Sequence, residues 1–170
     1  NKLAMGTLHN VQVYDFDNSS GLITNPTDCK LPAAPNGDSL APYGIEFSPN
    51  GRFLYVSTYR SKGLFQFDLL NNNNRVNIKD PENLNASSDF GALQLGPDGK
   101  IYLAHDQVNG NGPNGLGVID LPDNLGLGCG FDNLGLPYPS GYTKKCGLGL
   151  PNFVPCIIGN PDPLPPSTCC

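Results

Sequence analysis

Two places in this 170-residue chain carry side chains of the types that acid–base chemistry uses. Glu46 stands in a strand-like run between Ile45 and Phe47, and His105-Asp106 follow the apolar stretch Ile101 to Ala104. Hydrolysis of a lactone or ester needs an activated nucleophile, a positioned base or a metal. A carboxylate aimed into a funnel, or a histidine at a strand end, would supply the base. The partners are missing from the pattern: no Gly-x-Ser-x-Gly elbow occurs, and the other histidine is the distant His9. Packing offers the same residues a plainer role, with Glu46 beside a neighbouring polar group and His105-Asp106 opening a loop. Catalysis is therefore not expected, and His105 and Asp106 are kept as candidates for a ligand surface.

A second candidate is "DFDNSSG", Asp15 to Gly21, which begins like a calcium loop. An EF-hand needs a glutamate at its twelfth position, and Pro26 stands there. An Asx-rich turn explains the segment equally well, with Asn18 and Gly21 supplying left-handed backbone. No cofactor is expected; were calcium to bind, Asp15, Asp17 and Asn18 would be its ligands. Among the tyrosines, Tyr55 and Tyr102 fall at matching places in two similar segments, which assigns them to packing. Tyr59, next to Arg60 and beyond its strand, is the better surface residue. Asn18-Ser19-Ser20 and Asn85-Ala86-Ser87 fit the N-glycosylation pattern.

Six cysteines lie at 29, 129, 146, 156, 169 and 170, with no Cys-x-x-Cys spacing to suggest zinc. An acidic, lysine-poor, Asn- and Gly-rich chain with this many cysteines reads as exported and disulfide-bonded. Cys129 and Cys146 bracket a Gly- and Pro-rich loop and are the expected pair, a bridge contributing roughly 3 kcal/mol by loop entropy. A Cys29–Cys156 bridge would require the fold to bring the two ends together. The tail from 159 to 170, "NPDPLPPST" and its flanks, reads as a linker.

The elements that must position these residues are short strands. The chain holds 21 Gly and 17 Pro, only 15% charged residues, and no apolar helical period lasting three turns. A net charge of −5 argues against nucleic acid, and no apolar run is long enough to span a membrane. Beginning at Asn1, the chain reads as processed or as a piece of something longer. Pro-Asx-Gly turns at 49–51 and 97–99 are 48 residues apart. Apolar-Asp-apolar triplets centred on Asp15, Asp68 and Asp120 step by 53 and 52. Two independent markers at a period near fifty point to an all-β protein of β-propeller-type blades. The faces agree, because Phe53 and Tyr55 on one side and Leu54 and Val56 on the other are all apolar, as in a sheet covered twice.

This spacing predicts strands near 44–48, 52–58, 63–69, 91–96, 100–105 and 116–121. The units fall at about 9–30, 43–80 and 90–124, with an irregular 125–158, so residues 1–158 form a partial propeller of three to four blades. Closed rings use roughly four to eight. The terminal faces, expected to expose Val11, Val13, Phe16, Phe153 and Val154, would then be covered by the rest of the polypeptide or by another copy.

"YGIEFSPNGRFLYVST", "GLFQFDL", "DFGALQLGPDGKIYLAH", "LGVIDLPDNLGLGCGFDN" and "LGLPNFV", in that order over residues 9 to 158, resemble the propeller regions of large Bacteroidetes surface proteins. Those are the gliding-motility-associated and PKD-domain proteins routed through type IX secretion. The resemblance implies an extracellular or cell-surface protein of adhesion or scaffolding, without catalytic residues; surface polysaccharide is a candidate partner. It makes Ser39, in Asp38-Ser39-Leu40, a candidate for O-glycosylation. "FSPNGRFLYV" and "VYDFDNSSGLI" are also similar to seven-bladed lactonase-type propellers, which makes lactone hydrolysis the alternative.

Overall fold

The computed structural model describes residues 1–81, 88–107, 114–141 and 147–150. Three antiparallel sheets account for nearly all of the regular structure in them. The first holds β1 (Lys2–Gly6), β2 (Val11–Phe16) and β3 (Ile23–Cys29). The second is the meander β4 (Ala41–Phe47), β5 (Phe53–Tyr59), β6 (Leu64–Asp68), β7 (Asn74–Lys79). The third repeats that order with β8 (Ser88–Leu95), β9 (Ile101–Gln107), β10 (Gly115–Ile119), β11 (Phe131–Pro137). A 3-10 turn at Gly126–Cys129 leads into β11.

The expected turns are present. Gly51 and Gly99 take φ of 70° and 79°, the left-handed conformation that closes each reversal without a Cβ clash. Asn50 and Asn18 do not adopt it; Asn25, at φ 52°, does so inside a bulge of β3, beside Pro26 on the edge strand where a missing donor is tolerated. Beyond the six strands given bounds, β2 and β3 fill the expected 9–30 unit and β7 closes the 43–80 unit; β1 precedes the first unit, and β11 lies in the stretch expected to be irregular.

The second sheet is buried on both faces, as its alternation requires. Leu54, Val56, Phe65 and Phe67 pack with Val11, Val13 and Cys29 of the first sheet. Phe53, Tyr55 and Leu64 pack with Phe90, Leu93, Ile101, Leu103 and Ile119 of the third. Val11 and Val13 thus belong to an interior rather than to an uncovered face, whose exposed residues are Leu3 and Met5 of β1. Phe153 and Val154 lie outside the described residues. Tyr55 pairs with Glu46 and Gln66, and Tyr102 with Gln94 and Val118. Both rings point away from the preceding sheet; Tyr55 is covered by the third, whereas Tyr102 lines an open apolar groove with Leu116 and Leu136.

The recurring aspartate now has a physical meaning. Arg52 donates from Nε and Nη2 to the two Asp68 oxygens at 3.1 and 2.7 Å, and Asp68 is buried. Lys100 reaches Asp120 at 2.7 Å, and Lys2 reaches Asp15 at 2.7 Å. Each pair ties one strand to the next, β5 to β6, β9 to β10 and β1 to β2. Those strands therefore occupy corresponding places, and among the described residues the first sheet has no member answering to β4 and β8.

Candidate functional site

Three of the expected surface residues, Tyr59, Arg60 and Asp106, gather at the end of the sheets where β5 turns into β6. Arg60 and Lys62 both take positive φ, 63° and 49°, a costly conformation for side chains of their kind. Buried hydroxyls hold it: Thr58 and Ser61 share a 2.7 Å hydrogen bond, and the Gly63 N–H donates to Thr58 Oγ1 at 3.0 Å. The turn lays the Arg60 guanidinium 5.3 Å from the Tyr59 ring centre. Tyr43, from β4, stands 6.0 Å from Tyr59. Across from them Asp89 and Asp106 are direct cross-strand partners. Burial raises the Asp89 carboxyl, and the like charge of Asp106 raises it further. The rim offers two tilted rings, two cations and the half-buried Asp106 carboxylate, with Asp89 buried beneath it, a set suited to stacking on and hydrogen-bonding a polar ligand.

His105 does not belong to this rim. The strand runs two residues past the expected end, so His105 stays in the alternation and turns inward, 1% exposed. Its Nε2 donates to the Asn133 carbonyl at 2.9 Å, its ring stands edge-on to Phe90, and Nδ1 is buried with no partner among the described residues. Burial pulls its pKa down to about 4. Glu46 is likewise engaged in packing. One oxygen accepts the Phe47 N–H and the other the Leu95 N–H, each at 3.0 Å, so the carboxylate straps the second sheet to the third.

Gln66 was missed because a lone amide in an apolar strand carries no pattern. It is fully buried, donates to the Tyr55 hydroxyl and the Asn124 carbonyl, both at 2.7 Å, and accepts the Gly126 N–H at 2.7 Å. Tyr55 in turn donates to the Pro122 carbonyl at 2.9 Å. Cys129 packs against this network as a buried free thiol, its pKa raised by burial. Cys146 lies outside the described residues, as do Cys156, Cys169 and Cys170. Cys29 is also a buried free thiol.

The calcium candidates are spent locally. Asp15 is bonded by Lys2 and Asn25, and Asp17 accepts from Ser19 and Ser20 within its own turn, which lowers it to about 2. Asn18 is exposed beside them, and no three metal-ligating side chains converge among the described residues. Ser39 is exposed, and Asn85 lies outside the described residues. Between the first and second sheets runs a polar cleft of about 810 Å³, lined by Lys2, Lys30, Arg75 and three consecutive asparagines, Asn72 to Asn74. Hydrogen bonds staple it across, from Asn73 to the Asp28 carbonyl and from Arg75 to the Lys30 carbonyl.

No family model matches the chain, and no curated protein matches it. A solved structure, the extracellular domain of a putative hybrid two-component system from B. thetaiotaomicron, is similar at 18% identity and a TM-score of 0.46. That similarity covers 69% of this chain and 13% of the other. Among the described residues no helix is long and apolar enough to cross a membrane.

Proposed function

We propose that the chain is a non-enzymatic segment of an exported, cell-surface protein, built from propeller-type blades and acting in adhesion, scaffolding or surface display. One observation carries the reading. A four-stranded meander is covered on both faces by like sheets, and β8 lies against β4 and β5 where the first strands of neighbouring blades would meet. The uncovered outer faces call for the rest of the polypeptide or another copy. The link to gliding motility and type IX secretion rests on the sequence resemblance. The rim at Tyr43, Tyr59 and Arg60 and the cationic cleft are the surfaces offered to a polysaccharide, whose hydroxyls and acids match rings, amides and cations.

Lactone hydrolysis loses support because its two candidate groups are committed elsewhere: Glu46 to two backbone N–H groups, His105 to a sealed interior. Surface adhesion is tested by flowing polysaccharide-coated beads over the immobilised chain. Retention should fall at least tenfold in a Tyr59→Ala, Arg60→Ala, Arg75→Gln variant that melts like the parent. Turnover of a lactone panel that vanishes in Glu46→Gln would replace this reading with the hydrolytic one.

A further inference from the structure

The three ion pairs align β1 with β5 and β9, so the first sheet has an empty place where the others have β4 and β8. The outward edge of β1 is correspondingly open. Its ladder to β2 uses the odd residues, as Phe16 N–H to the Asn1 carbonyl and Thr7 N–H to the Asn10 carbonyl show, at 2.9 and 2.8 Å. Antiparallel alternation then turns the N–H groups of Lys2, Ala4 and Gly6 toward that edge, where none has a partner among the described residues.

The other end of the described chain carries a surplus of the same kind. Gly147–Leu150 lies beside β8 as β8 lies beside β4. A Cβ on Gly44 would sit 2.6 Å from both the Gly91 carbonyl and the Leu93 nitrogen. A Cβ on Gly91 would meet the backbone of Leu148 in the same way, and the Leu148 carbonyl accepts the Ala92 N–H at 2.7 Å. Gly147–Leu150 therefore occupies the place of a first strand with no sheet of its own among the described residues. The sequence agrees, since "YGIEF", "FGALQL" and "LGLPNF" share the apolar-Gly-apolar pattern.

We propose that two copies of the chain close head to tail, Gly147–Leu150 of each copy filling the open edge of β1 in the other. The proposal rests on the blade reading above. One strand lacking at one end and one to spare at the other make the contact self-complementary by strand addition. It also stacks the groove at Tyr102, Leu116 and Leu136 on the exposed face at Leu3, Met5 and Tyr14. Three sheets from each copy give a ring of six, within the roughly four to eight that closed propellers use.

Sedimentation of residues 1–170 should give a species of twice 18.1 kDa. Ala4→Pro should convert it to a monomer with an unchanged far-UV circular dichroism spectrum. That substitution removes an outward donor on an edge strand and leaves the β1–β2 ladder intact. A synthetic peptide of Phe90–Leu95, itself a first strand, should compete for the edge and shift the parent toward monomer. A β-rich monomer, open-ended higher assemblies, or a dimer indifferent to both Ala4→Pro and the peptide would each overturn the proposal while leaving the blades standing. A spectrum without β signature would sink the blade reading itself.

Discussion

His105 is where burial and charge meet most directly. Its pKa is about 4 in the folded chain and 6.5 in an unfolded one. Between those values the unfolded chain binds the extra proton, so stability rises with pH across the window. The contribution is fully present above pH 6.5 and is lost as pH falls toward 4, a change on the order of 3 kcal/mol. Calorimetric melts from pH 7.5 to 4.5 should show the decline, and His105→Asn should flatten it; an equal slope in that variant contradicts the assignment. The three repeat aspartates differ in setting. Asp68 is 3% exposed and held bidentately, whereas Asp15 and Asp120 are 44% and 50% exposed. Chemical denaturation should therefore rank Asp68→Asn as the most damaging of the three Asp→Asn changes, with the other two close to neutral, as solvent-screened pairs are.

At the scale of elements, the close approach of β4 to β8 depends on Gly44. Alanine there meets two backbone atoms that no rotamer can move aside, so Gly44→Ala should cost about 3 kcal/mol by urea denaturation. The Gln66 network latches the second sheet to the loop before β11. Gln66→Leu leaves the Tyr55 hydroxyl and the Gly126 N–H short of partners, at about 1–3 kcal/mol each. Much of this architecture was legible beforehand. Pro-Asx-Gly turns fixed the two hairpins, and the doubly apolar run Phe53 to Val56 announced a sheet covered on both sides. The strands β1, "KLAMG", and β11, "FDNLGLP", were not legible, because neither alternates and each owes its shape to the neighbour it pairs with. His105 is hard to place from sequence for a related reason: the apolar run ends at Ala104, whereas the strand continues to Gln107. The Cys129–Cys146 pairing followed from cysteine count and loop composition, and Cys146 lies outside the described residues.

For the whole molecule, the central claim is a stack of sheets in which the middle one is enclosed and the outer two each carry, among the described residues of one copy, an uncovered face. Enclosure has a measurable consequence, because amides open only when their packing does. The most direct test is native-state hydrogen exchange by NMR on the 170-residue chain. Phe53–Tyr59 and Leu64–Asp68 should exchange slowest, through global unfolding alone, with β9 and β10 next and the edge strand β3 fastest among the strands. Equal protection across the three sheets, or slowest exchange in β1–β3, would contradict the stacked arrangement and the function argued from it.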